Sequence, residues 1–187
     1  DEWKKFRSHL ESKYKKIDIL INNAGIRVSG NLEKTSLDLW NHVLTTNTTS
    51  MFLGCKYSLR LLKKSKNASI VNSASITSIR GAKNMLAYAT SKSAIVSFTS
   101  SLALDLVKDK IRVNAVAPGA IDTQMVETLK KEINSISKYN KRMSEAHPIG
   151  RIGYPQEVAN VICFLASEEA SFMTGSTIPV DGGRSIR

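Results

Sequence analysis

A chain of 187 residues, 42% hydrophobic and 23% charged, carries enough apolar material for one buried core. Four Pro and ten Gly exclude a collagen-like or low-complexity segment, and no apolar stretch approaches the roughly 18–20 residues of a membrane span. Lys and Arg number 27 against 16 Asp and Glu, giving +11, but the basic residues are spread in pairs such as Lys4–Lys5 and Lys63–Lys64 without a zinc-finger, helix-turn-helix or RNP pattern, which reads as solvated surface and excludes a nucleic-acid or membrane partner.

Residues 1–16 form an amphipathic helix on the spacing of Trp3, Phe6, Leu10 and Tyr14, and lack the apolar centre of a signal peptide. Ile17 to Ile21 is a short β-branched run ended by Asn22-Asn23-Ala24-Gly25, a buried strand and a tight turn. Residues 36–64 are helical in two parts, the first capped by Ser36 or Asp38 and the second running from about Thr48 to Lys64. Ala68 to Asn72 is a second strand with Ser73-Ala74-Ser75 at its carboxyl end. A long helix follows from Met85 to Val107, then a strand from Ile111 to Val116 closed by Ala117-Pro118-Gly119. Residues 124–147 are Lys-rich and helix-compatible. Pro155 sits at the first turn of a helix, and Gly175 to Val180 is the last strand, placed at a sheet edge. Cys55 and Cys163 have no metal-ligand spacing around them, so no metal site is expected and a reducing, cytoplasmic compartment is.

Strand and helix alternate in one unbroken domain, 1–187. The expected fold is α/β: a three-layer, doubly wound parallel sheet of Rossmann type with right-handed crossovers. Ligands of such sheets bind beyond the carboxyl ends of the strands, where Asn23-Ala24-Gly25, Ser75 and Pro118-Gly119 all fall.

Tyr88 and Lys92 stand four apart on one helix face. A free phenol is a poor base at neutral pH, and a nearby ammonium stabilises its phenolate. An isolated pair of this spacing is common as plain surface. Ser75, thirteen residues earlier at a strand end, can donate to a carbonyl on which charge develops, or serve only as a turn residue. Asn47 interrupts a helix, either as a local kink or to hold a water.

The full set of segments resembles the short-chain dehydrogenase/reductase family: NNAG at 22–25, Asn47, IVNSAS at 70–75, YATSK at 88–92, VNAVAPGAIDT at 113–123, RIGYPQEVA at 151–159 and VDGG at 180–183. The resemblance implies Tyr88 as general acid/base, Lys92 as the residue that lowers the Tyr88 pKa and binds the nicotinamide ribose, Ser75 as the group that polarises the carbonyl, and Asn47 as holder of a relay water. It implies Asn23, Ala24 and Gly25 beside the adenosine side of NAD or NADP. Pro118, Gly119, Ile121 and Thr123 would flank the nicotinamide, and residues 124–150 would form a substrate lid. The C-terminal half is similar to microbial sugar and polyol dehydrogenases, including aldohexose 1-dehydrogenases.

The departure lies at the front. The family's T-G-x-x-x-G-x-G turn, which offers backbone N–H groups to the pyrophosphate, is not in this sequence. The expectation is that the first βα units are missing, and that the strand at 17–21 exposes an apolar edge. The expected function is an NAD(P)-dependent oxidoreductase acting on a secondary alcohol or carbonyl, an aldose or polyol in the leading version. The alternative is a 3-oxoacyl-(acyl-carrier-protein) reductase, and the remote one a non-catalytic nucleotide-binding relative. The partners expected are a small-molecule substrate and further copies of the chain, as a homotetramer. Arg27, Asn84, His147 and Arg151 are candidates to contact substrate.

Overall fold

The computed structural model describes residues 2–124 and 136–187. Helix α1 (Glu2–Lys13) leads to strand β1 (Ile19–Asn22), helices α2 (Leu37–Leu44) and α3 (Ser50–Leu62), and strand β2 (Ser69–Ser73). Helix α4 (Leu86–Leu106), strand β3 (Arg112–Pro118), helices α5 (Ile136–Glu145) and α6 (Pro155–Ala166) and strand β4 (Thr177–Val180) complete the order. All four strands are parallel, in the sequential order β1-β2-β3-β4.

Local chemistry explains the element ends. Ser36 caps α2 by accepting from the Leu39 N–H at 3.2 Å, so of the two expected caps it is Ser36 that acts. Pro155 opens α6, and the Glu157 carboxylate accepts the Tyr154 N–H at 2.7 Å while pairing with Arg151. α4 ends in a tight turn with Lys110 in the left-handed region, φ 58°.

The middle strands are buried on both faces, and alternation sorts their side chains between two layers. Ile70, Val113 and Ala115 face α3 and α4 with Leu62, Ile95 and Ala103. Val71 and Val116 face α6, beside Leu165 and Ile162. α4 approaches closely because its buried stripe is small: Ala87, Ser91, Thr99 and Ala103 alternate with Ile95 and Leu106.

The expected three-layer sheet is therefore present, but one detail of the topology differs. The connections β2–α4–β3 and β3–α6–β4 add a strand on the same side, yet α4 and α6 lie on opposite faces. The two crossovers have opposite hands, so the right-handed rule does not hold for both. By crossing over, α6 gives β2 and β3 the second cover that their apolar side chains require.

The cover does not extend over β1. Leu20 packs on the α3 side, while Ile19 and Ile21 are each 48% exposed on the other, so β1 shows the apolar edge expected there and is not the buried strand that its β-branched run suggests. α1 buries no residue fully. Trp3 stacks on Tyr57 of α3 at 6.1 Å, but Phe6 and Tyr14 remain exposed.

Between the layers runs a ladder of buried polar side chains. Asn22 Nδ2 donates to Asn72 Oδ1 at 2.8 Å, and Asn72 Nδ2 donates to Thr99 Oγ1 at 2.9 Å. Thr99 in turn donates to the Ile95 carbonyl at 2.7 Å. Asn72 is fully buried, and it locks β1, β2 and α4 in one register. Replacing it with Ala strands two partners, so Asn72→Ala should cost about 2–4 kcal/mol in urea unfolding. A loss under about 0.5 kcal/mol would show the ladder to be dispensable.

Candidate active site

The carboxyl ends of β1, β2 and β3 open onto one cleft of about 1540 Å³. That exceeds the roughly 300–1,000 Å³ of an ordinary small-ligand pocket and leaves room for two ligands side by side. Asn23, Ala24 and Gly25 line it from the loop after β1, Ser73 and Ser75 from the end of β2, Tyr88 and Lys92 from α4, and Pro118, Gly119, Ile121 and Thr123 from the loop after β3. Every expected catalytic or cofactor-binding residue except Asn47 lies on this wall.

Tyr88 is on the buried face of α4, 7% exposed, one turn before Lys92 at 5%. Burial pushes the Tyr88 phenol up from its ordinary value, and a hydrogen bond with Ser75 and then the charge of Arg27 partly offset this. The expected lowering by Lys92 is thus not what dominates here: in a dry site, loss of hydration outweighs neighbouring charge. The same burial brings the Lys92 ammonium down to about 8. Its Nζ donates to the Ser73 carbonyl at 2.7 Å, tying α4 to the end of β2. The Ser75 hydroxyl caps a short turn by accepting the Thr77 N–H at 3.2 Å.

Asn47 sits behind the wall, 1% exposed, in a π-helical turn (Thr45–Thr49) between α2 and α3. Its Oδ1 accepts the Ile26 N–H at 2.7 Å, and its Nδ2 donates to the Ile26 carbonyl and to Ser91 Oγ, both at 2.9 Å. Ser91 donates onward to the Tyr88 carbonyl at 2.7 Å. The side chain therefore clamps the loop after β1 to the turn of α4 that carries Tyr88. π turns inserted in α-helices often mark functional positions.

Two glycines let backbone pack closely behind the cleft wall, Gly25 against the clamp and Gly119 against His147. A Cβ on Gly25 would lie 3.1 Å from Asn47 Oδ1 and 3.3 Å from Lys92 Nζ. At Gly119 it would meet His147 Nε2 at 2.7 Å and the Asp181 Cα at 3.0 Å.

The four substrate-contact candidates divide. Arg27 and Asn84 line the cleft. His147 is buried outside it: Nε2 accepts the Ala120 N–H at 3.0 Å, and Nδ1 faces the Met143 carbonyl at 2.5 Å. The ring braces the loop after β3 against the end of α5. Arg151 is taken up in a two-pronged pair with Glu157 at 2.7 and 2.8 Å. Of the expected lid, α5 presents Tyr139, Arg142 and Met143 to the cleft, while 125–135 fall outside the described residues. Sequence reading missed Ser91, whose place one turn after Tyr88 was its only signal, and the Ser73 carbonyl, which no side-chain pattern announces.

The chain that builds this cleft is similar to a set of known proteins. The family model described as enoyl-(acyl carrier protein) reductase matches residues 1–185. The chain is 41% identical over 171 residues to the 3-oxoacyl-(acyl-carrier-protein) reductase FabG of Chlamydia pneumoniae, covering 91% of this chain and 66% of that protein. It is 37% identical over 179 residues to meso-2,3-butanediol dehydrogenase of Serratia marcescens, covering 96% and 68%. The ligand-free structure of Thermoplasma acidophilum aldohexose dehydrogenase superposes with a TM-score of 0.94 at 40% identity, covering all of this chain and 75% of that one. The chain thus spans about two-thirds of the length of the curated relatives it matches. With the family model spanning nearly the whole sequence and the cleft assembled from the same segments, the chain belongs to the short-chain dehydrogenase/reductase family.

Proposed function

We propose that this chain carries the catalytic part of an NAD(P)-dependent oxidoreductase that interconverts a secondary alcohol and a carbonyl. The observation that supports it is the convergence of Ser75, Tyr88 and Lys92 on one cleft at the carboxyl edge of the sheet. The residues fit the nicotinamide half of a dinucleotide, because Tyr88 and Lys92 share one cleft with the loops at Asn23–Gly25 and Pro118–Thr123. Bound there, the cofactor supplies hydride acceptance and donation. Lys92 holds its ribose hydroxyls; Asn23, Ala24 and Gly25 lie toward its adenosine side; Pro118, Gly119, Ile121 and Thr123 flank its ring.

Ser75 orients and polarises the substrate oxygen. Tyr88, kept protonated by burial, gives its proton to a forming alkoxide in reduction and must lose it before oxidation. Oxidation should therefore speed up with rising pH while reduction slows at alkaline pH. Asn47 serves the proton relay by fixing Ile26 and the Tyr88 turn, and the segment 124–150 covers the substrate. All four catalytic positions are filled, which weighs against a non-catalytic relative.

The aldose or polyol reading draws support from the aldohexose and butanediol dehydrogenases. The 3-oxoacyl-(acyl-carrier-protein) reductase reading draws it from FabG. Relative activity on aldoses and on acetoacetyl thioesters, with both NAD(H) and NADP(H), separates the two. Two free thiols suit a cytoplasmic setting, and no described helix is long and apolar enough to cross a membrane.

A homotetramer is part of the proposal. Phe52 on α3 and Leu104 on α4 are 44% and 78% exposed, and such apolar faces suit pairing with a second copy. Light scattering of the full-length protein at micromolar concentration should give a multiple of the monomer mass; a stable monomer contradicts this. In the full-length protein, Tyr88→Phe should keep the circular dichroism of the parent and lower turnover roughly 10²–10⁴-fold. Near-parental turnover on the best substrate would remove Tyr88 from its role.

A further inference from the structure

Arg27 follows the turn after β1 and lines the cleft. Its Nη1 is buried and has no hydrogen-bond partner among the described residues. Its Nη2 reaches only the Met85 thioether, at 3.7 Å, and thioether sulfur is a weak acceptor. An unanswered buried guanidinium nitrogen is costly to a fold, which makes a ligand group the natural partner. The position is beside the start of α4, for Met85 immediately precedes the helix turn that carries Tyr88.

The surroundings carry the same sign. Arg80, Lys83, Arg142, Arg184 and Arg187 also line the cleft, against one carboxylate side chain among the described residues, Glu145. Arg184 is held below its ordinary value by burial first and by the charge of Arg80 second, so cations are crowded here. Glu145 stands 4.0 Å from Lys141, which leaves it a poor counter-ion for this group.

Resting on the oxidoreductase reading above, we infer that the substrate carries an oxyanion close to its reacting carbon, a carboxylate or phosphate ester, held by Arg27 inside the cleft. A hydroxy acid is the simplest such molecule: its carbinol hydrogen leaves as hydride to NAD(P)⁺, its hydroxyl proton leaves through Tyr88, and an oxo acid remains. A neutral aldose answers a guanidinium with hydroxyls alone. The acyl chain of a carrier-bound thioester is neutral near its reacting carbon and leaves Nη1 unanswered. Guanidinium matches the planar, two-oxygen face of a carboxylate well.

The test uses the full-length protein with NAD⁺ and NADP⁺. Lactate, 3-hydroxybutyrate and gluconate are assayed beside their methyl esters or amides, with glucose 6-phosphate, glucose and an acetoacetyl thioester (the last with NADH and NADPH). At least one anionic substrate should exceed its neutral partner in kcat/KM by roughly 10–100-fold. Arg27→Gln should collapse that ratio, chiefly through KM, with Arg27→Lys restoring part of it. The carboxylate and phosphate arms tell the two oxyanions apart. Faster turnover of the neutral esters, glucose or the thioester, or an unchanged ratio in Arg27→Gln, overturns the inference.

Calorimetry with malonate and with inorganic phosphate gives a second readout free of turnover. Binding of either that Arg27→Gln weakens about tenfold or more supports the site, even if nothing in the panel is oxidised or reduced, a result that would sink the oxidoreductase reading alone. No binding and no anionic preference overturns the oxyanion site.

Discussion

Holding the Lys92 ammonium at the dry edge of a parallel sheet is the constraint on which the arrangement turns. A buried lysine loses hydration, and the fold answers with the Ser73 carbonyl at the end of β2. That bond ties α4 to the end of β2 one turn from Tyr88. The arrangement has a cost. Lys92 sits at about 8 in the fold against an ordinary 10.5, so the unfolded chain binds more protons between those values. Stability therefore rises with pH across the window and falls again as pH drops through about 8, where the buried charge costs about 3 kcal/mol.

Other features follow from keeping α4 in place. Its inner face is made of Ala87, Ser91, Thr99 and Ala103, small enough for the helix to lie close on β3. Asn72 and Asn47 then spend their whole amide groups on cross-links, one between strands and helix, the other between the loop after β1 and the Tyr88 turn. The π turn at Thr45–Thr49 is where the helix from α2 to α3 makes room for that second link. On the far face α6 covers β2 and β3 by a crossover of opposite hand, which leaves the carboxyl edge open as a cleft.

Much of this was legible in the residues. The β-branched runs at 17–21 and 68–72 placed β1 and β2 to within two residues, and Pro155 marked the start of α6. The cleft residues followed from their places at strand ends. What could not be read were relations that depend on packing. Whether Lys92 lowers the Tyr88 phenol or burial raises it depends on how dry α4 becomes. The bracing role of His147 needs the contact of α5 with the loop after β3, two segments 27 residues apart. The hand of the last crossover follows no periodicity, because the same apolar run of α6 suits either face. Arg27 is one of four candidates that read equally well as plain surface or turn, and its unpartnered nitrogen is a property of the folded chain alone.

The most direct test of this account is the titration of Lys92 itself. Full-length protein labelled with ¹³C at the lysine Cε carbons can be followed by NMR from pH 6 to pH 11, with Lys92→Met to assign the signal. The account predicts one lysine titrating near 8, absent from the variant. If every lysine titrates at about 10 or above, Lys92 is not held in a dry site and the placing of Tyr88 through it is wrong.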